Sequence, residues 1–134
     1  MADNYGLKRV VKSAFYKLDA DTADIEIGDA ITVTDATAGY VKRVDAVAEP
    51  VLGFAMQKVA SPGSDGGASV EVDLSKEHVY RFPADTGSVT QALVGTKLDI
   101  GADARSIDIN GTTTADLEVV AVDLVDNTLD VVRV

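Results

Sequence analysis

Gly, Pro, Asp or Asn interrupts this 134-residue chain so often that no segment accumulates the apolar face of a long helix. Short runs rich in Val, Ile and Thr lie between the breaks, which is the pattern of an all-β protein. Parallel strand pairs need a crossover of a dozen or more residues, usually a helix, and no segment supplies one. The expected fold is therefore a small single-domain β-barrel or β-sandwich of short antiparallel strands with an N-terminal extension.

Roughly ten strands are expected. Val10 to Tyr16 is the first, Ile31 to Thr34 follows the Gly28-Asp29 turn, and Tyr40 to Val44 is entered through Ala38-Gly39. Val51 to Val59 starts after Pro50, whose ring suits a strand start, and these central strands are expected to be neighbours. Ser61 to Gly67 has nothing to bury and reads as an exposed loop. Ala68 to Leu74 then alternates Val70, Val72 and Leu74 against Glu71 and Asp73, the clearest period-two signal in the chain. Val79 to Phe82, Lys97 to Ile100 and Ser106 to Ile109 are further strands, with a helical turn of under two turns expected within Ser88 to Val94. Asn110-Gly111 reads as a hairpin turn because both residues tolerate positive φ. Leu117 to Leu124 and Thr128 to Val134 flank Asp126-Asn127 as a C-terminal hairpin, and their near-continuous Val content predicts burial on both faces. No internal repeat of fixed period is found.

Charge divides the chain. Twenty-two acids against twelve bases give a net charge of -10, which disfavours nucleic acid and anionic membrane faces as partners. Residues 1-18 nevertheless carry four bases against one acid, a net of +3, leaving -13 on the rest. Residues 1-18 are thus a basic arm or first strand, and 19-134 a single β-rich domain. The basic segment either packs on the acidic body of its own chain or reaches a second molecule. Residues 1-17 hold no apolar run long enough for a signal-peptide core, and no stretch approaches the eighteen or so residues of a membrane span. A soluble, mature chain is expected.

Searches for chemistry return little. Cysteine is absent, which excludes a disulfide framework and thiolate chemistry. His78 is the sole imidazole, and its spacing supplies neither a nucleophile nor an orienting partner, so a surface or strand-edge role is expected. Counted as an EF-hand from Asp19, the acidic stretch to Asp29 puts Asp24 where glycine is required, and that motif fails, although looser calcium binding stays open. No phosphate loop and no Gly-x-Ser-x-Gly elbow is present. Asn110-Gly111-Thr112 matches a glycosylation acceptor but reads as a turn. No catalytic residue, metal site or cofactor is expected.

Gly28-Asp29-Ala30-Ile31-Thr32-Val33, Ala38-Gly39-Tyr40-Val41, Pro50-Val51-Leu52-Gly53-Phe54-Ala55 and Ser69-Val70-Glu71-Val72, in this order, resemble the small capsid decoration or cement proteins of tailed bacteriophages. The resemblance runs over about residues 28 to 134, through Ala92 to Asp99 and the Val-rich hairpin. It implies a non-enzymatic structural protein of the virion. Such a protein binds the outer capsid surface, often as a homotrimer, and clamps neighbouring major capsid subunits. By analogy with family members that use a terminal arm, and from the sign contrast, Tyr5, Leu7, Lys8, Arg9, Val10, Val11 and Lys12 are the expected capsid-binding residues. Two other classes remain open. A host-surface or carbohydrate-binding β-module would need a concave aromatic patch from Tyr40, Phe54, Tyr80 and Phe82, and a small hydrolase would need a carboxylate pair in a cleft.

Overall fold

The computed structural model describes residues 12-34 and 38-134. They form an all-β domain of two antiparallel five-stranded sheets. The first contains β1 (Ser13–Lys17), β2 (Ala30–Val33), β3 (Val41–Arg43), β4 (Gly53–Ala55) and β5 (Ser69–Asp73). The second contains β6 (Tyr80–Pro83), β7 (Lys97–Ile100), β8 (Ile107–Asp108), β9 (Leu117–Asp123) and β10 (Thr128–Arg133). Between β6 and β7 the expected helical turn is a single 3-10 turn at Gln91–Leu93.

The two sheets repeat one plan. Their strand orders are β1-β5-β4-β2-β3 and β6-β10-β9-β7-β8, so adding five to each label converts the first into the second. Register matches as well. Ala14 faces Val72 and Tyr16 faces Val70 in the first sheet, as Tyr80 faces Val131 and Phe82 faces Leu129 in the second. Each sheet curls until its two edges touch through one parallel bridge, Leu18 to Val41 and Ala84 to Ile107. The following residue seals each bridge: the Asp19 N–H donates to the Val41 carbonyl, and the Asp85 N–H to that of Ile107, both at 2.9 Å. Gly28 and Gly95, at φ of 90° and 85°, stand two residues before β2 and β7. A fixed-period search misses this duplication because the connections differ in length, and few matched positions share a residue.

Packing joins the units into one body. Leu18, Ile25, Ile31, Val41, Ala55, Val70 and Val72 fill the first unit. The second core holds Leu98, Ile100, Ile107, Leu117, Leu129 and Val131, and it also takes in Ala30, Val44, Val51 and Phe54 from the first unit. Side chains alternate across a strand, so β2 and β4 send Ile31 and Ala55 inward and Ala30 and Phe54 across the seam. Ala30 to Thr32 of β2 and all of β4 are buried on two faces for that reason.

Three local expectations change. The strand expected over Val51 to Val59 is ordered as a ladder only at Gly53–Ala55, with Val59 returning as an isolated bridge to Ile25. Asn110-Gly111 is a turn but not a hairpin, and neither residue has positive φ. β8 and β9 lie on opposite sides of β7 instead of pairing with each other. The C-terminal hairpin does form, with a register shift between Asp130 and Val131. Only one face is buried, since Val120 and Val134 are 43% and 41% exposed. Valine here reflects the strand's preference for β-branched residues as much as burial.

Candidate functional site

Of the residues expected to bind a capsid, Tyr5, Leu7, Lys8, Arg9, Val10 and Val11 lie outside the described residues, as do those at 35-37. Lys12 is described and exposed. Its carbonyl accepts the Leu74 N–H at 2.8 Å, which continues the β1 to β5 ladder by one pair. The basic segment therefore joins the domain at an edge strand. Beside that junction Phe15 is 65% exposed, its backbone partner is Glu71, and the Met56 N–H donates to the Glu71 carbonyl at 2.8 Å. Directly opposed residues share a face, so Phe15, Glu71 and Met56 form one row across the sheet. The Ser13 hydroxyl donates to the Glu71 carboxylate at 3.0 Å and fixes its acid end. The equivalent row of the second unit is the exposed ion pair of Arg81 and Asp130, at 2.8 Å.

At the same end of β5 as the Lys12 junction lies a buried carboxylate, Asp73. Its Oδ2 accepts the Tyr80 hydroxyl at 2.5 Å and lies 2.6 Å from His78 Nδ1, while Oδ1 accepts the Ser75 N–H at 2.9 Å. Burial pushes the Asp73 pKa up, but the donors from Tyr80, His78 and Ser75 outweigh it and hold the group below its ordinary value. Burial first, then the neighbouring carboxylate, push the Tyr80 hydroxyl strongly upward. That is opposite to what an activated phenolate requires. Spacing along the sequence offers His78 no orienting partner, and the folded chain supplies one because the turn after β5 brings position 78 back over Asp73. The trio fixes the entry to β6.

Tyr80 also belongs to the seam. Its ring centroid is 4.3 Å from Phe54, and Phe82 is 5.6 Å from Phe54. Three of the four aromatics considered for a sugar-stacking patch thus gather, yet Phe54 and Phe82 are 1% and 6% exposed and serve as core. Tyr40 lies elsewhere, against Gly66. Next to the aromatics, Asp29 accepts Arg105 through two bonds of 2.6 and 2.9 Å and also takes the Glu26 N–H at 2.8 Å. These groups border a shallow cleft of about 380 Å³ that includes Ile27, Tyr80 and Arg81.

The acidic stretch from Asp19 to Asp29 does not converge. Asp19 caps the Asp21 N–H, Asp24 accepts the Ser61 N–H, and Asp29 faces Arg105. Among the described residues no three His, Cys, Asp or Glu side chains are grouped to hold a metal ion. Asp99, to which the sequence assigns no role, accepts four hydrogen bonds, from the N–H groups of Thr113, Thr114 and Ala115 and the Thr114 hydroxyl, at 2.7 to 2.9 Å. Burial raises its pKa, and these donors more than reverse that. Gly111 is needed beside it, since a Cβ there would meet the Asp99 carboxylate at 2.9 Å. Compared with known proteins, the chain matches no family model, no curated protein and no solved structure.

Proposed function

We propose that this chain is a non-enzymatic structural protein of a phage particle that binds the outer surface of the assembled capsid and clamps neighbouring major capsid subunits. The observation that carries the reading is the polarity of the molecule: residues 1-18, at +3, include the edge strand β1 with its exposed Phe15, and the rest of the chain is at -13. A basic segment at a sheet edge combines steering toward acidic surface with backbone groups available for pairing. The pieces that resemble decoration proteins occupy consecutive parts of the first unit, from the Gly28 turn through β2, β3, β4 and β5. Copies that bind only the assembled shell stabilise it by mass action, and each clamp that holds two subunits makes its second contact effectively intramolecular. The partner is the major capsid protein and the location the outer face of the virion, with copies grouped as homotrimers there.

Co-sedimentation with undecorated capsids tests the reading. Full-length protein is expected to pellet with the shells and a chain lacking residues 1-12 to remain folded but in the supernatant, with binding of the full chain weakened by salt. Equal binding by the truncated chain removes the role of the arm, and no binding by the full chain removes the reading.

A further inference from the structure

The β9 to β10 hairpin ends in an apolar tip. Leu124 and Val125 are 56% and 94% exposed, and Val125 is the most exposed large apolar residue of the described chain. Hydrogen bonds brace the turn: Asp123 Oδ1 accepts the N–H groups of Val125 and Asp126 at 3.0 Å each, and Asn127 sits at φ 58° and is bonded to Val89 and Gly87. A braced apolar knob flanked by Asp123 and Asp126 is therefore held in water.

The far end of the same hairpin carries a hollow. A cleft of about 590 Å³ is lined by Val33, Pro50, Val51, Leu52, Glu49 and Arg133, together with Thr32 and Ala48. Val33 is 53% exposed there. Glu49 is already committed, accepting the N–H groups of Asp45 and Ala46 at 2.9 Å and facing Lys42 at 3.5 Å. Arg133 is not balanced in this way. It donates to the Leu74 carbonyl at 2.6 Å, its buried Nε has no hydrogen-bond partner, and no carboxylate pairs with it among the described residues. The cleft thus offers apolar walls and one cation without a counter-ion, which complements an apolar knob flanked by acids.

We infer that the hairpin tip of one copy, Leu124 and Val125, seats in the Arg133 cleft of a second copy, with Asp126 facing Arg133. Knob and hollow lie at the two ends of β10, roughly 17 Å apart at a strand's rise per residue, so a molecule cannot fill its own cleft. The contact is head-to-tail, and every open assembly keeps one free knob and one free hollow until a ring closes. This inference concerns the free protein and does not depend on the capsid reading.

Sedimentation velocity on the full chain from about 10 μM to 1 mM tests it. The wild type is expected to shift to masses above one chain as concentration rises. A tip variant, Leu124→Ser with Val125→Ser, and a cleft variant, Val33→Glu, are both at exposed positions and are expected to stay folded by circular dichroism and to sediment as monomers. Their equimolar mixture is the decisive measurement: the intact cleft of one and the intact tip of the other permit a single contact, so the mixture should give a dimer and nothing larger. A wild type that stays monomeric throughout, a variant that associates like the wild type, or a mixture that stays monomeric would each overturn the inference.

Discussion

The two five-stranded units share strand order, register and the closing parallel bridge, yet they solve the same position in opposite ways. In the first unit the residue opposite Ile31 on β4 is Gly53, and in the second the residue opposite Leu98 on β9 is the fully buried Leu117. A Cβ at Gly53 would run into the Asp73 carbonyl and approach Val72 Cγ1 to 2.7 Å. The plan of the unit therefore does not dictate the core residue; the local approach of β4 to β5 does. A similar contrast holds at the third β2 residue and its counterpart, where Thr32 stands in one unit and the multiply bonded Asp99 in the other. Topology is shared between the units, and chemistry is not.

Exchanging the contrasted residues breaks the comparison most sharply. Gly53→Leu should cost more than about 4 kcal/mol, because the clash is with backbone, and leave a chain without a cooperative thermal transition. Leu117→Ala should cost about 2 to 5 kcal/mol through the cavity it leaves, measured by urea denaturation. At the seam, Arg105→Ala leaves Asp29 buried without its cation. The expected loss is about 1 to 3 kcal/mol, below the range for a fully buried pair because Arg105 is 46% exposed, and Arg105→Lys should recover only part of it.

The acid response sharpens the contrast further. Asp99 and Asp73 have folded pKa values below their ordinary range, so their contribution is present above the unfolded value and is lost as pH falls through the folded one. Asp99→Asn should cost about 1 to 3 kcal/mol at pH 7, and its difference from wild type should shrink as melts are repeated toward pH 2. An unchanged difference across that range would mean that the carboxylate's charge is not what the Thr113 to Ala115 loop holds. The smallest effect is expected in the β4 to β5 loop, which is far longer than its counterpart in the second unit, the β9 to β10 turn. Four residues inserted after Gly63, where a Cβ would meet nothing within 4 Å, should change stability by about 0.6 kcal/mol or less.

Much of the fold was legible because the relevant signals are local. Val70, Val72 and Leu74 alternate in sequence, and the breaks at Gly28, Gly39 and Gly95 fall where the backbone has positive φ. What escaped is what depends on distant partners. Asp29 and Arg105 are 76 positions apart, and nothing near either residue announces the pair. The duplication is carried by hydrogen-bond register, which very different side chains satisfy equally well, as Tyr16 and Phe82 or Lys17 and Pro83 do at matched positions. The Val-rich hairpin misled for a related reason, because strand preference and burial favour the same residue types. For the candidate site, the charge polarity was readable directly, whereas the exposed Phe15 to Met56 row and the Arg133 cleft exist only once strands are paired.

The closing arrangement of each unit also orders events in time. β1 has no partner until β5 is present, more than fifty residues later, and β6 likewise waits for β10 at the end of the chain. Such distant pairings carry a loop-closure cost before any contact repays it, so folding in the millisecond-to-second range is expected rather than microseconds. During synthesis the first unit has all its strands by Asp73, while the second core still lacks most of its residues. Val51 and Phe54, already held by that earlier unit, then present an apolar surface on which the later strands can assemble, so the N-terminal copy serves as the template for its successor.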